Sequence, residues 1–199
     1  PGLSEWRRVR DYRVGQIEKM SNVDVFLDSQ LRVEQVVEFG FDHVCVATGS
    51  SWRRDGTGRS SATGFTGHPH ANVKTPDEVM TGIRVGGPVV VYDDDNFYLG
   101  GLVAERVREQ GHEVILVTSD GLVSSATSVT LEQHRIQSRM LEKGIKIIIS
   151  HHVSGFDGVT VRLICAFSGQ GQEQPASTLI PVTSREPNEG LYLKLRDAI

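Results

Sequence analysis

The sequence predicts an α/β protein: a Rossmann-like parallel sheet joined to an antiparallel β-meander. Three observations carry this prediction. Residues 75–149 alternate short apolar runs with amphipathic stretches that end in glycine, the pattern of strand–helix crossovers in a parallel sheet. Residues 151–183 then read as antiparallel strands, with Asp157-Gly158 as a hairpin turn signal. Finally, 21 glycines, 38% hydrophobic and 23% charged residues describe a soluble globular chain with many tight turns, and rule out a disordered one.

The elements follow in order. Residues 4–20 predict an amphipathic helix, capped by Ser4, with Leu3, Trp6, Val9, Ile17 and Met20 near one face. Val23 to Leu27 reads as a short strand, and Arg32 to Glu38 as a helical turn ahead of Gly40. The run His43-Val-Cys-Val-Ala47 reads as a buried strand stopped by Thr48-Gly49, which makes Cys45 a packed, inert thiol. Residues 50–73 are rich in Ser, Gly and Thr and read as a linker or long loop.

Thr75-Pro76-Asp77-Glu78 is a helix start, with a Thr cap, Pro at the first helical position and acids in the first turn. Pro88 to Tyr92 is a hydrophobic strand, Leu99 to Gln110 a helix closed by Gly111, and Glu113 to Thr118 the next strand. Thr130-x-x-Gln133 predicts a capping box for a helix running to Lys143 and closed by Gly144. Ile145 to Ile149 is a third buried strand. Val159 to Ala166 and Thr178 to Thr183 are strands of the meander, and Gly190 to Asp197 a last helix.

Composition excludes several classes. A net charge of −4 disfavours a general nucleic-acid binder. Two cysteines, Cys45 and Cys165, cannot build a cysteine-ligated cluster or a disulfide scaffold within this chain. No apolar run approaches the roughly 20 residues needed to span a bilayer, and no signal peptide is visible, so a cytoplasmic setting is expected. The sequence carries no G-x-S-x-G, P-loop or triad, and no residue is assigned a catalytic role.

The turn after the first strand of the parallel sheet bears on ligand choice. A dinucleotide-binding unit needs G-x-G-x-x-G there, so that a pyrophosphate can sit on the helix N-terminus. This chain has Tyr92-Asp93-Asp94-Asp95-Asn96-Phe97-Tyr98-Leu99-Gly100-Gly101 instead. Two like charges about 4 Å apart repel by roughly 4 kcal/mol at an effective dielectric near 20. The run is therefore expected to exclude a dinucleotide. Its plain reading is a solvated loop favouring the positive end of the next helix; a cation site is the sharper one. Asp120 lies at the spacing of a ribose-binding acid but has no phosphate cradle beside it. His68, His70, His151 and His152 have no matching Cys or acid cluster, so zinc is not expected and no metal ligand is assigned.

Several stretches then point to a family. Residues 42–58 run Asp-His-Val-Cys-Val-Ala-Thr-Gly-Ser-Ser-Trp-Arg-Arg-Asp-Gly-Thr-Gly. Thr75-Pro-Asp-Glu-Val-Met-Thr-Gly, Gly87-Pro-Val-Val-Val-Tyr-Asp-Asp-Asp, Ala104-Glu and Gly111-His-Glu-Val follow in order. This series resembles the C-terminal nucleotide-binding domains of trimethylamine dehydrogenase-like enzymes, within the old yellow enzyme and dienoyl-CoA reductase family of NADH:flavin oxidoreductases. Thr183-Ser-Arg-Glu-Pro-Asn188 resembles the [T/A]-G-R-x-P-N segment of pyridine-nucleotide-disulfide-type flavoenzymes, with Ser184 in place of Gly.

The resemblance implies a fragment of a multidomain iron–sulfur flavoprotein. The parent would oxidise a small amine at FMN in a barrel domain, pass electrons through a 4Fe–4S cluster, and deliver them to an electron-transferring flavoprotein. The barrel, the cluster cysteines, the first G-x-G-x-x-G and a closing Gly-Asp segment have no counterpart in this sequence. Residues 1–74 correspond to part of an ADP- or FAD-binding domain. Residues 75–182 correspond to an inserted, degenerate NAD(P)-binding-like domain, and 183–199 return to the first. By the same resemblance Leu31, Ala47, Thr48 and Gly49 lie near the ADP or FAD of the parent, and the fragment alone is expected to hold no cofactor. The partners implied are the rest of its own chain and the electron-transferring flavoprotein. The alternatives left open are an NAD(P)H-dependent flavin reductase of the dienoyl-CoA reductase or NADH oxidase type, and a demethylase of N-methylated substrates.

Overall fold

The computed structural model describes residues 4–67 and 71–198. His68 and His70 lie outside the described residues. The chain divides into two compact units, residues 1–51 with 187–199, and residues 52–186.

In the first unit a 3-10 turn, Ser4–Trp6, leads into α1 (Arg7–Ile17), which buries none of its residues. α2 (Val33–Phe39) opens where the Arg32 backbone N–H donates to Gln35 Oε1 at 2.9 Å, and it closes on Gly40 at φ 65°, a left-handed position that glycine adopts without steric cost. α2 packs against α6 (Gly190–Ala198). Two expected strands do not form. Val23 to Leu27 is irregular, and residues 43–47 join no ladder. A strand is a property of a pair, and among the described residues no strand pairs with either run. All of their side chains but that of Val46 are exposed, including Phe26 at 79% and the Cys45 thiol, which is not packed as expected.

β1 (Ser50–Trp52) and β10 (Arg185–Pro187) form a two-stranded sheet where the chain passes between units. The second unit then builds three layers. Its central sheet is parallel, in the order β5 (Lys146–Ile148), β4 (Val114–Thr118), β3 (Val89–Asp93), β9 (Thr178–Val182). Every residue of β3, β4 and β9 is buried, as continuous apolar runs must be when both sheet faces are covered.

One face receives α3 (Pro76–Met80), α4 (Leu99–Glu109) and α5 (Gln133–Glu142), with Val79, Val103, Val107 and Met140 against Val89, Val91, Leu116 and Ile180. The other face receives a second sheet in the order β2 (Thr66–Gly67), β6 (His151–Phe156), β7 (Thr160–Cys165), β8 (Gly171–Pro175). Val153, Phe156, Val161 and Leu163 of that sheet meet Val90, Tyr92, Ile115 and Leu179. Within it β6, β7 and β8 make the antiparallel meander, and β2 joins β6 in parallel.

The local signals explain most boundaries. Thr75 caps α3 reciprocally: its Oγ1 accepts from Glu78 N at 3.3 Å, and its N–H donates to Glu78 Oε2 at 2.8 Å. Asp157 Oδ1 accepts from Val159 N and Thr160 N, which shapes the β6–β7 turn. Two expectations need correction. Residues 178–182 join the parallel sheet beside β3 rather than the meander. Their unbroken apolar run suits a doubly covered sheet better than a meander strand. The Thr130 capping box does not form either. Residues Ser125–Thr130 are a 3-10 helix, Glu132 precedes α5, and the Gln133 amide donates to Val123 O and Gln137.

Candidate functional site

The first unit holds an open groove of about 830 Å³. Leu31, Ala47 and Thr48 line it, together with residues of α2 and with Gly190 and Lys194 of α6. Three of the four candidate nucleotide-proximal residues thus share one depression. Gly49 is beside it and does not line it. Gly49 sits at φ 73°, so its glycine is required by the backbone turn rather than by space.

The turn is fixed by Asn188. Its backbone N–H donates to Gly49 O at 2.9 Å, and its side-chain amide donates to Thr48 O at 3.1 Å. Thr48 Oγ1 returns a bond to Asn188 O at 2.5 Å, and Ser51 Oγ donates to Asn188 Oδ1 at 3.0 Å. The Ala47-Thr48-Gly49 and Arg185-Glu-Pro-Asn188 motifs, far apart in sequence, are one hydrogen-bonded structure. Asn188 is not among the candidate residues; its place at the end of the Thr183–Asn188 motif is the available signal.

In the second unit the acidic turn is not solvated. Asp93 and Asp94 are fully buried and Asp95 is half-buried. The solvated-loop expectation fails because each carboxylate has work inside the fold. Asp93 points at the start of α4. Its Oδ1 accepts from Asn96 N at 3.0 Å, while Oδ2 is buried with no hydrogen-bond partner among the described residues. A Cβ added at Gly100 would overlap this carboxyl, so the glycine makes room for the acid. Burial, aided by Asp95 and Asp94 and opposed by the Asn96 N–H, pushes the Asp93 pKa up to about 7.

Asn96, at φ 59°, extends the same node. Its Oδ1 accepts from Thr118 Oγ1 at 2.8 Å and its carbonyl accepts from Ala126 N at 3.0 Å. Asp94 accepts from Ser60 N at 2.9 Å, from Ser60 Oγ, and from Ser119 Oγ at 3.0 Å. Burial raises the Asp95 pKa, against the pull of Arg185 and Arg59. A pyrophosphate on α4 would need the helix N-terminus that the Asp93 carboxyl occupies.

The remaining candidates also have local duties. Asp120, at the ribose-acid spacing, accepts a hydrogen bond from Ser125 Oγ. His151 Nδ1 lies 2.7 Å from Ile149 O. Among the described residues no group of three or more His, Cys, Asp or Glu is arranged to hold a metal ion. Among them too, no helix is long and apolar enough to cross a membrane.

Comparison with known proteins agrees with this architecture. The chain is 28% identical to dimethylamine dehydrogenase of Hyphomicrobium sp. (strain x), over 98% of its own length and 30% of that protein's. The structure of histamine dehydrogenase from Rhizobium sp. 4-9 superposes with a TM-score of 0.95 at 40% identity, covering 100% of this chain and 31% of that one. The 6-hydroxypseudooxynicotine amine oxidase of Pseudomonas geniculata N1 gives a TM-score of 0.93 at 36% identity, covering 98% and 29%. The chain thus spans about a third of the length of these relatives. Residues 74–186, the three-layered part of the second unit, match the family model described as the OYE-like second alpha/beta domain. With more than half of its residues matched, the chain belongs to the OYE-like second alpha/beta domain family.

Proposed function

We propose that this chain is the nucleotide-domain region of a larger flavin-dependent oxidoreductase that oxidises a small amine. The observation that supports this most is the likeness, along essentially the whole chain, to two amine-oxidising enzymes at 40% and 36% identity. In this reading FMN and a 4Fe–4S cluster, held by other parts of the same polypeptide in a cytoplasmic setting, would supply the redox chemistry, and an electron-transferring flavoprotein would be the acceptor. The cluster does not fit the residues of this chain. A 4Fe–4S cluster needs four thiolates, and Cys45 and Cys165 are two, one in each unit. No catalytic residue is assigned to this chain.

The groove of the first unit does fit an ADP or the ADP half of FAD. Its volume lies in the range of about 300–1,000 Å³ typical of ligand sites. Leu31 offers an apolar wall for adenine, and the Ala47-Thr48-Gly49 backbone passes the nucleotide. Residues 1–74 and 183–199 then serve the nucleotide domain. Residues 75–182 are its inserted partner, in which the Asp93 carboxyl takes the place of a dinucleotide phosphate.

Anaerobic reduction of the intact protein tests this reading. A small primary or secondary amine should bleach the bound flavin, and NADH should not. Bleaching by NADH and not by any amine would overturn it in favour of a nicotinamide-dependent reductase.

A further inference from the structure

The geometry points to a latched strap: residues 55–64 fill the ligand crevice of the parallel sheet and are fastened there by side chains rather than by a backbone ladder. In chain order the strands lie 3-2-1-4, so the direction of winding reverses between β3 and β9. Open α/β sheets take their ligands at that reversal, outside the carboxyl ends of the strands. Here those ends are Asp94, just after β3, and Thr183, just after β9.

Gly58 of the strap lies between them. A Cβ there would overlap Asp94 Oδ2 and sit 3.0 Å from Thr183 Cβ. The strap backbone therefore closes the crevice at atomic contact. Beneath it the buried Thr183 Oγ1 has no hydrogen-bond partner among the described residues.

The strap is a self-contained Ω-like loop. Phe65 N donates to Asp55 O at 2.9 Å and Gly58 N to Ser61 O at 2.9 Å, so its ends are close and its tip is folded on itself. Ser60 provides the latch. It gives its backbone N–H and its hydroxyl to Asp94, and its Oγ lies 2.6 Å from Ser119 Oγ, at the end of β4. Ser184 Oγ donates to Thr57 O, and Arg59 adds attraction towards Asp95. Two of the three acids of the turn thus face the strap. The crevice is closed by the chain's own loop, and not only by the repulsion of the acids. The strap can be released without dismantling the sheet, because no sheet hydrogen bond runs through residues 55–64.

Limited trypsin digestion of the intact protein, with hydrogen exchange as a second measurement, tests the latch. Arg59 is exposed, so cleavage after it reads the population of open strap. Ser60→Ala and Asp94→Asn should each raise the rate of cleavage after Arg59 at least tenfold, the effect of losing one charge-assisted hydrogen bond. The exchange protection of Val90 and Val91 in β3 should be retained. Cleavage of the unaltered protein as fast as the variants would overturn the proposal. So would loss of β3 protection in Ser60→Ala, which would mean that the strap and the sheet open only together. If Asp94→Asn does not fold, Ser60→Ala, which keeps the Asp94 carboxylate, decides alone.

Discussion

Asp93→Asn is the most informative single substitution in the second unit. The carboxyl is buried at the start of α4, and its surroundings lift its pKa from an ordinary 3.8 to about 7. A folded-state pKa above the unfolded value means that the folded protein holds a proton the unfolded chain has released between pH 3.8 and about 7. Stability therefore falls as pH rises through that window, and the loss is complete above about 7. At about 1.4 kcal/mol per pH unit the loss amounts to about 4 kcal/mol.

Asparagine stays neutral and keeps an oxygen for the Asn96 N–H. The variant should match the native protein in stability near pH 4 and exceed it by several kcal/mol at pH 8. Urea unfolding at half-unit pH steps reads both curves. Parallel curves for the two proteins would refute the reasoning, since Asp93 would then titrate as an ordinary solvated acid.

Other outcomes follow from the same contacts. Gly100→Ala drives a methyl into the Asp93 carboxyl and should cost about 1–3 kcal/mol, read as a lowered melting temperature. Glu105, buried on α4, meets Arg139 of α5 at 2.6 Å and Lys143 at 3.6 Å, so Glu105→Gln should cost about 2 kcal/mol in urea unfolding. Thr75→Ala removes the α3 cap and should cost about 1 kcal/mol by the same assay. Asn188→Ala frees Thr48, Gly49 and Ser51, and should weaken ADP or FAD binding at least tenfold while leaving the unfolding of residues 52–186 unchanged.

The second unit was legible in the sequence where the signal is local. Thr75 with Glu78, Gly111 and Gly144, and the uninterrupted apolar runs of β3 and β4, mark their elements within a few residues. Residues 178–182 carried the same kind of run, but their place beside β3 depends on pairing across about 90 positions, which periodicity does not encode. The acidic turn misled for a related reason. Three adjacent charges look solvated until Ser60, Ser119 and Arg59 are placed around them, and two of those partners, Arg59 and Ser60, lie in a segment with no pattern of its own. In the first unit, 43–47 has the composition of a buried strand without a bonded neighbour, so composition there describes a tendency that the described residues do not satisfy. The nucleotide groove was legible only through its motifs. Ala47-Thr48-Gly49 marked the turn, whereas the role of Asn188 emerged from the contact between two motifs.

On the proposed reading the two units differ in kind: the groove beside Thr48 would receive an adenine nucleotide, and the crevice at Asp93–Asp95 would receive none. Calorimetric titration of the intact protein, stripped of bound nucleotide, with ADP, FAD, NADH and NADPH in turn tests it directly. ADP or FAD should bind, with the binding lost in Asn188→Ala, and neither reduced nicotinamide should give heat. Micromolar binding of NADH or NADPH that survives Asn188→Ala would contradict it.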